Sequence, residues 1–488
     1  MEFDITRKPW LPVRSMQGET RELNLLDFLE QSPELKGLDG LNPMEEYSVH
    51  RFLAVFLLAA LKPKVWEDKL DLLEKGRFDM THIQGYIRQC REEGVSFDLF
   101  DAKRPFLQSP YDEKYDQEKN LKSPAILDST RASGNNPIHF DHNLEEKVRM
   151  SPEQAFHGLM ASQIFCTAMS GGYPSNVYGA PPMFYLPLGE NLFQRLVLSV
   201  PCMPVGEDSA KEFWREKMEV VPKKDVAMTS RLYGMFFPAR RIRLVEEDGS
   251  VTKVYYQPGL HFTGFSGWSD PHVAYRRNKE QAMVSIKPSL DREGWRNLGT
   301  IAMQFAKERD GVPEVLRDYA KILEELELTQ MDILSLGAVT NQASYCDMQR
   351  GMMQMDVRIA KDVEKCLWVG EAVGFAEDVG YILRKCLKQM IAPEKNNRGE
   401  GDVRRAVHAY FSDGEKLFYE AEREIAACGD SSVLPDKMKE WQENVGKTAR
   451  KIFQRMQNIY CNTAEELFRA EEAYKWLNIG MAKRKEGK

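Results

Sequence analysis

The sequence predicts an α+β protein. A mixed N-terminal domain of helices and short antiparallel strands (residues 1–360) precedes a C-terminal four-helix bundle (residues 361–488). Three observations lead to this prediction. The chain has 488 residues, which exceeds one ordinary hydrophobic core. Its first two thirds mix helical periods with short β-rich runs and turn residues. Its last third is helical almost without interruption.

The N-terminal domain begins with an extended segment and continues with helices. Prolines make "KPWLPV" extended, and "LNLLDFLEQ" has helical spacing. "NPMEEYSVHRFLAVFLLAALK" predicts a long helix because Asn42 can cap it, Pro43 suits its first position, and acids follow. "MTHIQGYIRQCREEG" predicts an amphipathic helix from a Thr81 cap to Gly94.

The middle of the chain alternates loops with short elements. Residues 110–145 are polar and predict a long loop, which contains "SGNNPIHFDH". "SPEQAFHGLMASQIFCTAM" predicts a helix that is capped by Ser151 and runs directly into the turn "SGGYPSNVYGAPP". "RRIRLVEEDGSVTKVYY" predicts a β-hairpin, since two β-rich runs meet at an Asp-Gly pair.

The C-terminal region contains four amphipathic stretches separated by polar breaks, the pattern of an up-and-down bundle. They are "KDVEKCLWVGEAVGFAEDVGYILRKCLKQMI", "VRRAVHAYFSDGEKLFYEAEREIAAC", "MKEWQENVGKTARKIFQRMQNIY" and "AEELFRAEEAYKWLNIGMAK".

Composition predicts a soluble, cytoplasmic protein without a membrane partner. Hydrophobic residues make up 42% and charged residues 29% of the chain. The most apolar run, "FLAVFLLAAL", is about half as long as a bilayer span requires. The eight cysteines lack a C-x-x-C pair and are expected to be free thiols. A net charge of −7 argues against a stand-alone nucleic-acid binder, but it permits a subunit that contacts nucleic acid through local basic patches.

The familiar catalytic motifs are absent from the sequence. "NVGKTARK" has Trp441 where a phosphate-binding loop requires glycine, and neither H-E-x-x-H nor G-x-S-x-G occurs. His139 and His142 are neighbours without companion metal ligands. We therefore expect no enzyme activity, no metal and no cofactor. The alternatives are a helical scaffold protein without a nucleic-acid role, and a hydrolase with an unrecognised acid pair.

Several residues fit contact with nucleic acid. Phe140 stands in a polar loop, where an exposed aromatic ring can stack on unpaired bases. Gly171 and Gly172 lack side chains, so the backbone there can approach a groove closely. Basic residues cluster at Arg240, Arg241 and Arg243, and at Arg276, Arg277 and Lys279. A hydrophobic plug, a helix C-cap and solvated strands explain the same residues without nucleic acid.

The chain resembles, from end to end, the large-subunit (CasA) family of type I-E CRISPR Cascade. The resemblance is carried by the order and spacing of "PWLPV", "MEEYSVHRFLAVFLLAAL", "FDLFDAKRPFLQ", "SGNNPIHFDH", "GWSDPHVAYRR", "TNQAS" and the terminal helices. It implies a non-catalytic protein that assembles with other Cascade subunits and the CRISPR guide RNA. It also implies recognition of the motif flanking the double-stranded target DNA, help with strand separation, and docking of the recruited nuclease-helicase. Guide pairing carries the long sequence code, so the protein reads only a short flank.

The resemblance also implies roles for individual residues. The family's guide-RNA loop matches "SGNNPIHFDH", which contains Asn135, Asn136 and Phe140. The glycine loop that enters the minor groove matches "SGGY", with Gly171 and Gly172, although Ala168 replaces an earlier family glycine.

Two family features lack a direct match. The minor-groove lysine is missing from "YYQPGLHFTGF", where His261 or Gln257 can substitute. The glutamine wedge of a β-hairpin aligns near Val315–Tyr319, where Arg317 stands and no glutamine is found. Arg276, Arg277 and Lys279 lie near the family's basic positions that guide the displaced strand.

Overall fold

The computed structural model describes residues 1–130, 148–216, 219–227, 230–264, 269–290, 292, 294–307, 311–341, 344–391 and 399–485. The chain forms two compact units. The first comprises Met1–Leu290, Val312–Leu326 and Asp332–Gly351, and the second comprises Asp291–Gly311, Glu327–Met331 and Met352–Lys488. The second unit thus includes two segments that precede residue 361. The sequence-based division into domains 1–360 and 361–488 stays a prediction.

Helices and short strands are interspersed up to residue 290. In chain order they are β1 (Leu11–Ser15), β2 (Thr20–Leu23), α1 (Leu25–Gln31), β3 (Leu35–Leu38), α2 (Pro43–Leu61), α3 (Trp66–Lys75), α4 (Met80–Glu92), β4 (Leu121–Lys122), α5 (Pro152–Ile164), β5 (Phe184–Pro187), α6 (Leu192–Ser199), β6 (Asp225–Val226), α7 (Arg231–Met235), β7 (Arg240–Glu247), β8 (Ser250–Pro258), β9 (His261–Phe262), β10 (Tyr275–Arg277) and β11 (Met283–Ser285).

The remaining elements are mostly helical. They are α8 (Trp295–Lys307), α9 (Glu314–Glu325), β12 (Gln330–Asn341), β13 (Ser344–Asp356), α10 (Val357–Ala360), α11 (Val363–Ile391), α12 (Glu400–Ala427), α13 (Leu434–Tyr460) and α14 (Ala464–Lys485).

The strands form small sheets, with the orders β2-β1-β3, β4-β8-β7, β13-β12-β5, β10-β11 and β6-β9. The predicted hairpin is present as β7 and β8, whose strands pair antiparallel. Its turn residues Asp248 and Gly249 both have positive φ, 52° and 76°, as a tight hairpin turn requires. One pair differs from the expected antiparallel pattern, because β6 and β9 run parallel over two residues each.

Helix α2 lies at the centre of the first unit. The Asn42 side chain accepts hydrogen bonds from the backbone of Met44 and Glu45, and the Glu45 carboxylate accepts one from Asn42 in return. Almost all of the helix that follows is buried, including the apolar run at residues 52–60. Trp10 packs edge-on against Phe52 of this helix, with ring centroids 5.8 Å apart. The long capped helix is therefore confirmed as a core element.

Helices α11 to α14 occupy the four stretches in which the sequence predicted bundle helices. Within this second unit, Trp295 of α8 stacks on Phe418 of α12 with ring centroids 4.8 Å apart. The indole of Trp441 in α13 donates a hydrogen bond to the carbonyl of Ala372 in α11 at 2.9 Å. The predicted fold class, mixed helices and strands followed by a helical C-terminal region, is confirmed.

Two further observations concern the described part of the chain. None of its helices combines the length and the apolar character needed to cross a membrane. All eight cysteines are free.

Candidate nucleic-acid interface

The two glycines lie in a tight turn, away from the end of a helix. Helix α5 ends at Ile164, and its C-cap is Phe165 with φ −98°, so the predicted helix is too long at its C-terminal end. Gly171 and Gly172 follow several residues later, with φ of +80° and +78°. The backbone NH of Met169 donates to the Tyr173 carbonyl at 3.2 Å and closes the turn. The helix C-cap interpretation of these glycines is therefore wrong. We call Met169–Tyr173 the glycine turn.

A lysine side chain lies against the glycine turn. The Nζ atom of Lys223 donates a hydrogen bond to the Gly171 carbonyl at 2.9 Å. A Cβ atom added at Gly172 would lie 2.5 Å from this same Nζ, so the end of the lysine side chain would have to move away. Lys223 is exposed and has a φ of 63°, and its backbone NH is bonded to the Gly259 carbonyl at 2.7 Å. Sequence reasoning missed Lys223 because some fifty residues separate it from the turn.

His261 joins the same surface through the parallel strand pair. It lies opposite Asp225 in the register of β6 and β9, and its Nδ1 atom is 2.8 Å from Asp225 Oδ1. Its backbone NH donates to the Lys224 carbonyl at 2.8 Å. The side chain is exposed. We call Gly171, Gly172, Lys223, Lys224 and His261 together the glycine-turn surface.

Gln257, the other suggested substitute for the missing lysine, is only 5% exposed. Its Nε2 atom lies 3.5 Å from Asp116 Oδ1, and the other oxygen of that carboxylate accepts from Arg241 at 2.8 Å. This buried position favours a structural role for Gln257. His261 is thus the better placed of the two candidates.

The expected hairpin near Val315–Tyr319 is wrong, because this stretch belongs to helix α9. Arg317 is a partly exposed residue of that helix. Further along the chain, β12 and β13 form a hairpin of adjacent strands in one sheet, which residues 342 and 343 alone separate in the sequence. The sequence there reads "TNQAS", with a glutamine at position 342. Residues 342 and 343 lie outside the described residues.

The predicted displaced-strand residues occur together on one surface hairpin. Arg276 and Arg277 are exposed on β10, which pairs antiparallel with β11, and Lys279 is exposed in the turn between them. The Arg277 Nη1 atom donates to the Gln281 carbonyl at 3.1 Å, across the same turn. We call Arg276, Arg277 and Lys279 the basic hairpin.

A buried ion pair anchors the chain just before the basic hairpin. The Arg51 guanidinium donates to Asp270 Oδ2 at 2.5 Å, and both side chains are fully buried. Burial alone would raise the pKa of the Asp270 carboxyl, but Arg51 acts together with the hydrogen bonds from Tyr178 and the His272 backbone to hold this pKa below its usual value. The Tyr178 hydroxyl, from the segment after the glycine turn, donates to the same Asp270 oxygen at 2.5 Å.

Two of the three arginines in the first predicted basic cluster are internal. Arg240 and Arg241 are 1% and 3% exposed. Arg241 is paired with Asp116, and Arg240 donates to backbone carbonyls near the glycine turn. Only Arg243 is partly exposed, with its guanidinium carbon 5.6 Å from the Tyr111 ring centroid. The interpretation of Arg240 and Arg241 as a surface basic patch is wrong.

The predicted guide-RNA residues Asn135, Asn136 and Phe140 lie outside the described residues, as do His139 and His142. Within the ranges that are described, no group of three or more histidine, cysteine, aspartate or glutamate side chains is arranged to hold a metal ion.

Comparison with known proteins gives a consistent result. The model of the family described as CRISPR-associated protein Cse1 matches residues 4–452. The CRISPR-associated protein CasA/Cse1 of Thermus thermophilus is 28% identical over 426 residues, 82% of this chain and 80% of that protein.

Solved structures share the fold over the whole length. A crystal structure of a CRISPR associated protein from Thermus thermophilus has a TM-score of 0.78 at 21% identity, covering 99% of this chain and 100% of that chain. Cse1 from Acidimicrobium ferrooxidans has a TM-score of 0.76 at 20% identity, covering 99% and 98%. A chain of a CRISPR RNA-guided surveillance complex has a TM-score of 0.74 at 20% identity, covering 98% and 99%.

Proposed function

The chain belongs to the CRISPR-associated protein Cse1 family, and from this premise we propose that it is a non-catalytic subunit of a guide-RNA surveillance complex that recognises the motif flanking a DNA target. Its partners in this role are the other Cascade subunits, the CRISPR guide RNA, double-stranded target DNA and a recruited nuclease-helicase. The similar chain from a CRISPR RNA-guided surveillance complex supports the assembly part of the proposal.

The contact between Lys223 and the glycine turn carries the recognition part of the proposal. An ammonium group has three donors, and the 2.9 Å bond to the Gly171 carbonyl uses one of them. The minor groove of an A·T or T·A pair presents only acceptor atoms, so a lysine beside an uncovered backbone suits it. Such contacts distinguish A·T from G·C better than they distinguish individual bases, and several flanks are therefore tolerated.

Lys223 also supplies what the sequence segment before "GWSDPH" lacks. The family resemblance implies a minor-groove lysine, and Lys223, which lies at the glycine turn but comes from a different segment, is our candidate for that role. His261 lies on the same surface, with Nδ1 directed to Asp225 and the ring exposed. The backbone of Lys224 connects the two through its bond to His261.

Local charge explains how an acidic protein can contact DNA. The chain carries a net charge of −7, but Lys223, which contacts the glycine turn, and the adjacent Lys224 are both exposed. The basic hairpin adds three exposed cations. Neutralising phosphates requires only that cations face the DNA, so these patches suffice for a subunit whose partners bind most of the nucleic acid.

Strand separation and guide contact complete the proposed role. The connection between β12 and β13 contains Gln342, a better match to the family's wedge glutamine than Arg317 in helix α9. The basic hairpin is proposed to guide the displaced strand, and Asn135, Asn136 and Phe140 to contact the guide RNA. Docking of the nuclease-helicase is proposed from the resemblance alone.

Replacing Lys223 tests flank recognition. We expect Lys223→Ala, in the complex reconstituted with its partner subunits and guide RNA, to lower affinity for a target with the correct flank about tenfold, because a charge-assisted hydrogen bond is lost. Affinity for a target with an altered flank should change much less. Equilibrium binding to two otherwise identical duplexes measures both values.

Lys224→Ala is the matched control, since it removes the same charge from the adjacent exposed position. It should reduce both affinities equally, through the general phosphate attraction. If the two variants behave alike, Lys223 contributes only charge, and the glycine-turn surface does not read the flank.

A further inference from the structure

A buried arginine lies beneath the glycine turn. Arg240, at the start of β7, is 1% exposed. Its Nη1 atom donates to the Pro174 carbonyl and its Nη2 atom to the Thr167 carbonyl, both at 2.6 Å. These two carbonyls lie on either side of the glycine turn, Met169–Tyr173. One planar guanidinium therefore joins the chain entering the turn to the chain leaving it.

The partners of Arg240 are chemically unusual for a buried cation. Its Nη1 also donates to the Ala239 carbonyl at 2.9 Å, and its Nε to the Tyr256 hydroxyl at 3.2 Å. All of these acceptors are neutral oxygens, and the Tyr173 ring lies 5.3 Å from the guanidinium carbon. Burying a cation without a carboxylate is costly, and an apolar side chain would fill the same space. The two-pronged geometry of arginine is what bridging two carbonyls requires.

A second contact connects the same segment to the β12–β13 hairpin. Tyr345 is the second residue of β13, directly after the connection from β12. Its hydroxyl donates to the carbonyl of Phe165, the residue at which the segment leading to the glycine turn begins, at 3.0 Å. Burial raises the pKa of the Tyr345 hydroxyl, so it remains protonated and able to donate.

We infer that Arg240 and Tyr345 are positioning residues that hold the glycine turn in a fixed shape and at a fixed place relative to the start of β13. Flank recognition at the turn is thereby coupled to strand separation at the hairpin. The inference rests on the proposed function and deepens it, since it assigns the coupling to two side chains that lie behind the recognition surface.

The test uses the full complex with guide RNA. Arg240→Lys keeps the charge but loses the fork that bridges Thr167 and Pro174. We expect the ratio of affinities for correct and altered flanks to fall about tenfold.

Tyr345→Phe keeps the ring and removes one hydrogen bond. We expect it to keep flank binding within about twofold while slowing opening of the first target base pairs, followed by the fluorescence of a base analogue. Arg243→Lys, in the same strand but over the Tyr111 ring, is the control and should change neither value.

Each result either supports or overturns the positioning roles of Arg240 and Tyr345. A wild-type affinity ratio for an Arg240→Lys complex that assembles with guide RNA overturns the role of Arg240. If that variant does not assemble, Tyr345→Phe decides: slowed opening supports the coupling, and wild-type opening overturns it. Gly171→Asp separates a failure of the positioning role from a failure of the proposed function on which it rests. If Gly171→Asp also leaves flank binding unchanged, the proposed function fails. If it abolishes flank binding while Arg240→Lys does not, only the inference fails.

Discussion

Individual residues give the glycine turn its chemistry. Gly171 and Gly172 both have positive φ, so the turn exposes main-chain atoms, and Lys223 places an amine beside them. The glycines were identifiable from the sequence because "SGGY" has a clear turn signature. Lys223 was not, because its contact with Gly171 joins segments 52 residues apart and depends on the tertiary fold. Arg240 was assigned to a surface patch because a run of arginines in the sequence does not reveal which side chains point inward.

Gly171 offers a direct test at this scale. A Cβ atom at Gly171 would meet only the Tyr173 ring at 3.7 Å, an ordinary contact, and asparagine and aspartate tolerate positive φ better than other side chains. We therefore expect Gly171→Asn and Gly171→Asp to fold and to assemble with guide RNA. Both should lower affinity for a correctly flanked duplex by obstructing the groove, and the aspartate variant should lower it further by charge repulsion.

The asparagine variant is the control for shape, because it differs from aspartate in charge alone. Competition binding with correctly flanked duplexes ranks wild type, asparagine and aspartate. Affinities equal to wild type for both variants would show that the glycine turn does not face the DNA.

At the scale of elements, local rules succeed where the signal is local. Asn42 with Glu45 correctly marks the start of α2, and Asp248 with Gly249 correctly marks the β7–β8 turn. Helix α5 ends earlier than its apolar residues suggest, because Phe165 leaves the helical conformation and its carbonyl is bonded by Tyr345 of β13. The hairpin expected near Val315–Tyr319 is helix α9 in the structure, because no matching residues fix the alignment within that stretch.

A buried glutamate in helix α12 makes the stability of the protein depend on pH. The Glu422 side chain is 4% exposed, and it accepts a hydrogen bond from the backbone NH of Asp356 at 2.8 Å. Burial raises the pKa of this carboxyl to about 7. In the folded protein Glu422 therefore keeps its proton up to a higher pH than in the unfolded chain, where glutamate has a pKa of about 4.3. The contribution of Glu422 to the stability of the folded state falls as pH rises from about 4.3 to about 7. Above this range the full cost of burying the ionised carboxylate is present.

Glu422→Gln removes this titration while keeping an acceptor for the Asp356 NH. We expect the Tm of the variant to exceed that of wild type at about pH 8, and the difference to shrink as pH is lowered to about 5. Differential scanning calorimetry of the full chain at both pH values measures it. Glu420→Gln, at an exposed position of the same helix, should show no such pH-dependent difference. A gain for Glu422→Gln that is equal at both pH values would contradict the assigned titration.

For the molecule as a whole, the acidity of the chain is compatible with the proposed DNA recognition only within an assembly. The net charge of −7 opposes binding of the free chain to a polyanion, while the glycine-turn surface and the basic hairpin offer a few local cations. The fold class was predictable because helical periodicity persists through the last third of the chain. Which segments make up each compact unit was harder to predict, because α8 packs against α12 through Trp295 although the two helices lie far apart in the sequence.

The proposed function requires that this chain make target binding depend on the flank. The most direct measurement compares DNA affinity of the guide-RNA complex with and without this subunit, and of the subunit alone, on duplexes that differ only in the flank. We predict that only the complete complex discriminates between the flanks, and that the isolated subunit binds both duplexes weakly at physiological salt. Equal discrimination by the complex lacking this subunit, or tight flank-specific binding by the subunit alone, would overturn the proposed function.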